Sequence, residues 1–289
     1  MEQIDQIRIN FDEGQVALLN VLLGFIMFGV ALDLRVSDFR EVLVRPRLPL
    51  TGLLSEYVVL PLITLALIWL FEPAPSLALG MVLLSVCPGG NVSNFMVHLA
   101  GANAALSVFL TTVTTLGSIV VLPLAFAFWA RWAPGAAELL REVYVDPASV
   151  MWAIVQLVGI PVAVGMWVQR RWPAFADRIR KPVSRLSLLI FLGFVVGAIA
   201  GNLAEIRDYL HIVFYLVLLH NGLALLGGYF TGKLSGLDEP ECRTISIETG
   251  IQNSGLGLAL VFNFFQGLGG MALILAWWGI WHLISGFAL

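Results

Sequence analysis

Of the 289 residues, 59% are apolar, 12% are charged and the mean hydropathy is +0.90, whereas a water-soluble domain carries about 25% charged residues. Apolar runs of about 20 residues recur along the chain, long enough to cross a ~30 Å hydrocarbon core as helices, and the ~10-residue alternating segments of a membrane β-barrel are absent. The formal net charge of −3 carries little by itself, no basic stripe with interleaved aromatics points to nucleic acid, and the two cysteines, Cys87 and Cys242, make neither a disulfide framework nor a metal site.

The first thirteen residues hold Glu2, Asp5, Arg8, Asp12 and Glu13. They are too charged for the apolar region of a signal peptide and are expected to form a short extracytoplasmic arm over 1–13. The hydropathy pattern then predicts nine spans, at about 14–32, 48–70, 77–98, 104–130, 149–169, 184–201, 209–231, 243–265 and 270–289. The polar gaps are short, so 14–289 reads as a single transmembrane unit with no soluble domain inserted. Trp69, Trp129, Trp132, Trp152, Trp167 and Trp172 lie near predicted span ends, where indole rings anchor at the membrane interface.

Alternating the sides of nine spans divides the sixteen Lys and Arg residues unevenly. One side collects Arg35, Arg40, Arg45, Arg47, Arg170, Arg171, Arg178, Arg180, Lys181, Arg185, Lys233 and Arg243; the other holds Arg8, Arg131, Arg141 and Arg207. The positive-inside rule makes the first side cytoplasmic, which puts the N-terminus outside and the C-terminus inside a cell (inner) membrane.

Two spans are interrupted alike. The third breaks at Cys87-Pro88-Gly89-Gly90 and restarts on Asn91-Val92-Ser93-Asn94; the eighth breaks at Thr249-Gly250-Ile251 and restarts on Gln252-Asn253-Ser254-Gly255. Proline and glycine stop a helix, and Asn and Ser cap a new one. Unwound backbone at membrane depth must be buried in protein or line a cavity, because each unpaired group costs several kcal/mol in lipid. The breaks are five spans apart, an odd number, so the two segments run in opposite directions. This predicts inverted repeats, one at about 14–130 and the other at about 149–289, with the interrupted helices at a central site.

Only Glu56 and Glu248 are acidic residues clearly inside spans, and no Lys or Arg occupies a span centre to pair with them. Such a carboxylate costs at least ~2.5–3.5 kcal/mol and needs a partner, here a bound cation, a proton or dense hydrogen bonding. Ser107, Thr111, Thr114 and Ser118 form a hydroxyl stripe at helical spacing. Thr114 and Ser118 are expected to bond back to their own helix, and Ser107 and Thr111 to face the carboxylate. Helix restarts near Asn91 and Asn253 aim free N–H groups and positive dipole ends inward, which favours an anion. His220 and His282 are read as packing residues, with a proton relay as the other possibility. A cation on the carboxylate and an anion on the helix ends together describe an organic-anion symporter.

The two interrupted motifs, with Ile26-Met27-Phe28-Gly29, Leu219-His220-Asn221-Gly222 and Trp281-His282-Leu283-Ile284-Ser285-Gly286, resemble the bile acid:sodium symporter family from about residue 20 to the end. The resemblance implies a core and a panel domain built from inverted repeats, two crossing discontinuous helices, and a nine-span form with an outside N-terminus. It implies one sodium site at Ser93, Asn94, Ser107, Thr111 and Glu248. A second would use Glu56, Glu248 and Gln252 with backbone carbonyls near Thr249 and Ile251, and Asn91 and Asn253 would touch the substrate. Glu56 falls where the family usually places glutamine. Two carboxylates that close cannot both stay charged unless cations neutralise them, so a proton in place of the second sodium is an alternative.

The expected function is sodium-coupled import of an organic anion, either bile acid-like or a small 2-oxo or 2-hydroxy acid such as pantoate or pyruvate. The alternatives are a proton-coupled carrier using Glu56 and Glu248, and a ligand sensor of the same fold. No zinc-protease helix motif, no nucleophile elbow and no aspartate cluster for a magnesium diphosphate is present, so no enzyme is expected. The partners expected are the anion and the bilayer, with no obligatory protein.

Overall fold

The computed structural model describes residues 3–9, 13–32, 44–142, 147–201 and 207–289. In chain order the main helices are α1 (Glu13–Leu32), α2 (Arg47–Phe71), α3a (Pro75–Ser85), α3b (Asn91–Leu99), α4 (Ala104–Ala130), α5 (Ala148–Arg171), α6 (Pro173–Gly201), α7 (Leu210–Leu234), α8a (Glu239–Gly250), α8b (Ser254–Phe264) and α9 (Gly269–Ala288). By length and composition α1, α2, α4, α5, α7 and α9 can each cross a membrane. Large apolar side chains such as Val21, Leu62, Leu124 and Phe230 are more than half exposed on these helices, the arrangement lipid favours and water does not. The chain is an all-helical polytopic membrane protein.

Proline shapes two of the helices locally. Pro61 has no N–H for the Tyr57 carbonyl, and α2 answers with a π turn over Ser55–Val59; Pro161 does the same to α5 over Val155–Gly159. The first π turn lies where Ser55 and Glu56 are buried.

The breaks are placed by their own residues. After α3a the chain bends at Cys87 and leaves the helix, and Gly90, at φ −151° and ψ −178°, enters α3b extended. After α8a the chain opens at Ile251, and Asn253 restarts it, its Oδ1 accepting from the Leu256 N–H at 3.0 Å. The two breaks touch: Gly89 and Gln252 form an antiparallel bridge, and the Asn253 N–H donates to the Pro88 carbonyl at 2.8 Å. Backbone groups freed by one helix are thus paired by the other. Around them α3a, α8a and α8b are buried over most of their length, so the irregular backbone is covered by protein.

Helix α1 packs on α5 and α6, while α3a packs on α9, and α8a on α7 and α4. Residues 3–9 are tied across one end of the second group. The Ile9 N–H donates to the Gly267 carbonyl, the Gly269 N–H donates to the Ile7 carbonyl, and Asp5 Oδ1 accepts from the Ser76 N–H at 2.8 Å. Asp5 therefore supplies the start of α3a with the side-chain cap that Ala74 lacks.

Helix α6 runs unbroken from Pro173, so the basic stretch before the span expected at about 184–201 is helical too. A helix leaving the bilayer needs no apolar stripe. Arg185 therefore lies inside α6, about 18 Å from its start at 1.5 Å per residue. Arg35, Arg40, Glu2 and Asp12 lie outside the described residues.

Candidate functional site

The crossing of α3 and α8 brings a set of oxygens together. Glu248, fully buried on the last turns of α8a, faces α4 and α3b. Ser107 Oγ lies 2.5 Å from Glu248 Oε1 and 2.7 Å from Asn94 Oδ1. Thr111 Oγ1 lies 3.0 Å from Glu248 Oε2 and 3.1 Å from the same Asn94 oxygen. Ser93 also reaches Glu248, while its hydroxyl donates to the Gly90 carbonyl at 2.7 Å. A Cβ at position 89 would sit 2.7 Å from Glu248 Oε2 and push the carboxylate out of its present place. So Ser93, Asn94, Ser107, Thr111 and Glu248, scattered over 156 positions of sequence from first to last, form one cluster.

The cluster is short of protons. Ser107 and Thr111 each carry one hydroxyl hydrogen and each faces two acceptors. Asn94 turns its oxygen inward and leaves Nδ2 without a partner. Turning that amide would satisfy Nδ2 but remove one oxygen from the cage. An excess of inward-facing oxygens over protons is the donor set of a hard cation such as Na⁺. Among the described residues no group of three or more His, Cys, Asp or Glu could hold a metal ion.

Farther along the hydroxyl stripe, Thr114 Oγ1 donates to the Leu110 carbonyl at 2.9 Å and Ser118 Oγ to the Thr115 carbonyl at 2.7 Å. These two bond to their own helix, while Ser107 and Thr111 face the carboxylate.

The second group lies between the α2 π turn and the α8 break. Ser55 Oγ meets Thr249 Oγ1 at 2.6 Å, and Gln252 Nε2 donates to the Glu248 and Thr249 carbonyls at 3.0 and 3.2 Å. Glu56 is 2% exposed and stands within electrostatic reach of Glu248. Both its oxygens and Gln252 Oε1 lack a hydrogen-bond partner. Ile251 is buried at the break, beside Gln252.

A cavity of about 250 Å³ opens beside the crossover, lined among others by Met27, Gly90, Arg185, Asn253, Ser254 and His282. Asn253 faces it and caps α8b, its Nδ2 3.9 Å from Met27 Sδ. Asn91 opens α3b, and its side chain lies outside the described residues. His282 lines the cavity with both ring nitrogens unpartnered, whereas His220 is packed away, bonded to Thr64 Oγ1 at 2.8 Å and edge-on to Trp278.

Sequence reasoning passed over Ser55, Ser187, Ser254 and the position of Arg185. Ser55 and Ser254 adjoin residues it did select. Ser187 and Arg185 gave no signal, because nothing local shows which face of α6 meets the cavity.

Comparison with known proteins gives the family. The model of the Sodium Bile acid symporter family matches residues 20–208. The chain is 35% identical over 275 residues to an uncharacterised sodium-dependent transporter, YocS, of Bacillus subtilis, covering 94% of this chain and 81% of that one. It is 31% identical to a probable chloroplastic sodium/metabolite cotransporter, BASS2, of Oryza sativa, covering 90% of this chain and 64% of that one. Against the human ileal sodium/bile acid cotransporter it is 28% identical, covering 84% and 68%. An all-helical membrane chain whose match to the family model takes in well over half its length, and whose relatives are named as sodium-dependent transporters and cotransporters, belongs to the Sodium Bile acid symporter family.

Proposed function

We propose that the chain is a sodium-coupled secondary active symporter that imports a small organic anion across the cell (inner) membrane. The observation that carries this reading is the cluster at Glu248, where hydroxyls, an amide oxygen and a carboxylate converge with too few protons to satisfy one another. One Na⁺ is held there by Ser93, Asn94, Ser107, Thr111 and Glu248. A second is held by Glu56, Glu248 and Gln252 with the carbonyls of Thr249 and Ile251. Three buried acceptors without partners, Glu56 Oε1 and Oε2 and Gln252 Oε1, support that second site. Each would cost about 1–3 kcal/mol if left so.

The anion lies beside the crossover against Asn91 and Asn253, where α3b and α8b begin. The first N–H groups of a helix have no intrahelical partner, and their dipoles favour negative charge. Filling the cation sites stiffens the two breaks that also form the anion's floor, which links the two binding events. In the full arrangement, nine spans form inverted repeats over 14–130 and 149–289, with an arm over 1–13 outside and the C-terminus inside. The core holds α2, α3, α4, α7, α8 and α9, and the panel holds α1, α5 and α6. The like breaks in α3 and α8 and the packing of α1 on α5 and α6 support that division. Movement of one group against the other would expose the cavity to alternate sides.

The test is uptake of labelled 2-oxo and 2-hydroxy acids into proteoliposomes under an inward sodium gradient, with Glu248→Ala beside the parent. Sodium-driven uptake lost in the variant supports the reading. Uptake indifferent to sodium but dependent on a proton gradient sinks it in favour of proton coupling, which the unpartnered Glu56 carboxylate beside Glu248 favours. Binding without counterflow makes the chain a sensor.

A further inference from the structure

We infer that the corner between α5 and α6 is a binding site for an anionic phospholipid, whose phosphate lies on Arg178 and Lys181 while its acyl chains follow the apolar part of the same α6 face. This does not depend on the symport reading; it needs only a chain that spans a membrane.

Six basic residues and one acidic residue fall between positions 170 and 185. The acid, Asp177, pairs with Arg180 at 3.8 Å. Arg170, Arg171, Arg178, Lys181 and Arg185 are exposed and make no ion pair among the described residues.

Helical register fixes the way the α6 cations face. At about 100° per residue, Arg178, Lys181, Arg185, Leu189 and Val196 share an arc of about 80°. Ala176 and Ser187, both buried, lie on the opposite side of the helix. They flank Pro182, so the register carries through the proline. The basic face therefore points away from the protein. Farther along, the same face turns apolar at Leu189 and Val196, which are 66% and 57% exposed. Arg185, which also borders the cavity, stands where it changes. A face that is cationic for about 10 Å and apolar beyond matches one leaflet, headgroup first and hydrocarbon next.

Aromatic residues set the depth. Trp167, Trp172 and Phe175 are all exposed at this corner. The two indoles pack edge to face with centroids 5.0 Å apart, and the Arg171 guanidinium lies 5.8 Å from the Trp172 ring. Exposed indoles belong at the membrane interface, which puts the neighbouring cations at headgroup level. A soluble polyanion has no use for the apolar continuation of this face.

The chemistry selects the headgroup. Guanidinium and ammonium groups donate and do not accept, and a phosphodiester offers them only acceptors. In phosphatidylcholine a quaternary ammonium offsets the phosphate charge; in phosphatidylglycerol nothing does. Helix α6 packs with α1 and α5, so the lipid binds that group and leaves the cluster at Glu248 untouched.

The experiment follows thermal unfolding of the full chain in non-ionic detergent as phosphatidylglycerol or phosphatidylcholine is titrated into the micelles. Phosphatidylglycerol should stabilise the parent at a mole fraction about tenfold lower than phosphatidylcholine. A cation near an anionic lipid surface contributes about fivefold, so Arg178→Gln with Lys181→Gln should raise the half-saturating mole fraction of phosphatidylglycerol about twentyfold. Arg178→Lys should stay close to the parent, and so should Arg131→Gln, whose charge lies at the end of α4. Midpoints in phosphatidylcholine should match throughout, which reports that the variants are folded. Should the double variant not fold, the single variants carry the test, each with a loss of about fivefold. Equal response of the parent to both lipids overturns the inference, and so does undiminished phosphatidylglycerol preference in the glutamine variants. Equal stabilisation by soluble glycerol 3-phosphate or a short RNA overturns it in favour of a free polyanion. None of these outcomes touches sodium-driven uptake, which stands or falls separately.

Discussion

Replacing Glu248 by glutamine keeps the shape of the cluster and changes only its charge and its count of protons. Four oxygen–oxygen contacts of 2.5–3.1 Å now share two hydroxyl hydrogens, and the amide would add two. A buried acceptor left short costs about 1–3 kcal/mol, so with choline as the cation the variant should be more stable than the parent by about that much. Sodium should reverse the order. A ligand at 100 times its Kd stabilises the folded state by about 2.7 kcal/mol, and Glu248 serves both proposed sites, so the parent gains up to about 5 kcal/mol and the variant gains none. At roughly 2–4 °C per kcal/mol, each occupied site is visible as a rise of about 5–10 °C. The assay is thermal unfolding in detergent while sodium replaces choline at constant ionic strength. Equal sodium-dependent shifts in parent and variant would falsify the assignment of Glu248 to a cation site.

Thr111→Val removes one oxygen from the cluster and should weaken sodium about tenfold, equivalent to ~1.4 kcal/mol, while Thr114→Val, whose hydroxyl bonds its own helix, should stay within twofold in the same titration. Glu56→Ala should leave one of two sodium-dependent stabilisation steps, and sodium affinity that is flat between about pH 5.5 and 8 in both the parent and Glu56→Gln removes the proton version. Gly228→Ala places a Cβ 2.7 Å from the Ile245 carbonyl oxygen and 2.8 Å from Ser246 Cα, so α7 must move off α8a at about 1–3 kcal/mol, measured as a lower unfolding midpoint without sodium. Asp5→Ala uncaps the start of α3a and should cost about 0.5–2 kcal/mol in the same assay with sodium affinity unchanged; an altered affinity would show that the arm acts on the site as well.

Residues around the breaks were legible because their chemistry is local. Pro88 cannot donate to a helix, glycines at 89 and 90 weaken one, and Asn253 caps the next, whatever surrounds them. The division of the hydroxyl stripe was legible in part, since spacing places Ser107 and Thr111 on the face and toward the end nearest Asn94. Glu56 stood out because a carboxylate in an apolar run is costly anywhere.

What the sequence determined by itself is therefore the class of the molecule, its two interrupted segments and the buried carboxylates, all consequences of bond geometry and solvation acting within a few residues. Tertiary structure alone decided that the breaks meet at Gly89 and Gln252, that Ser55 reaches Thr249, and that Arg185 shares a cavity with His282. Those pairings join residues 163, 194 and 97 positions apart in the chain. Which faces of distant helices meet is set by packing summed over the whole bundle, and no local pattern carries that sum.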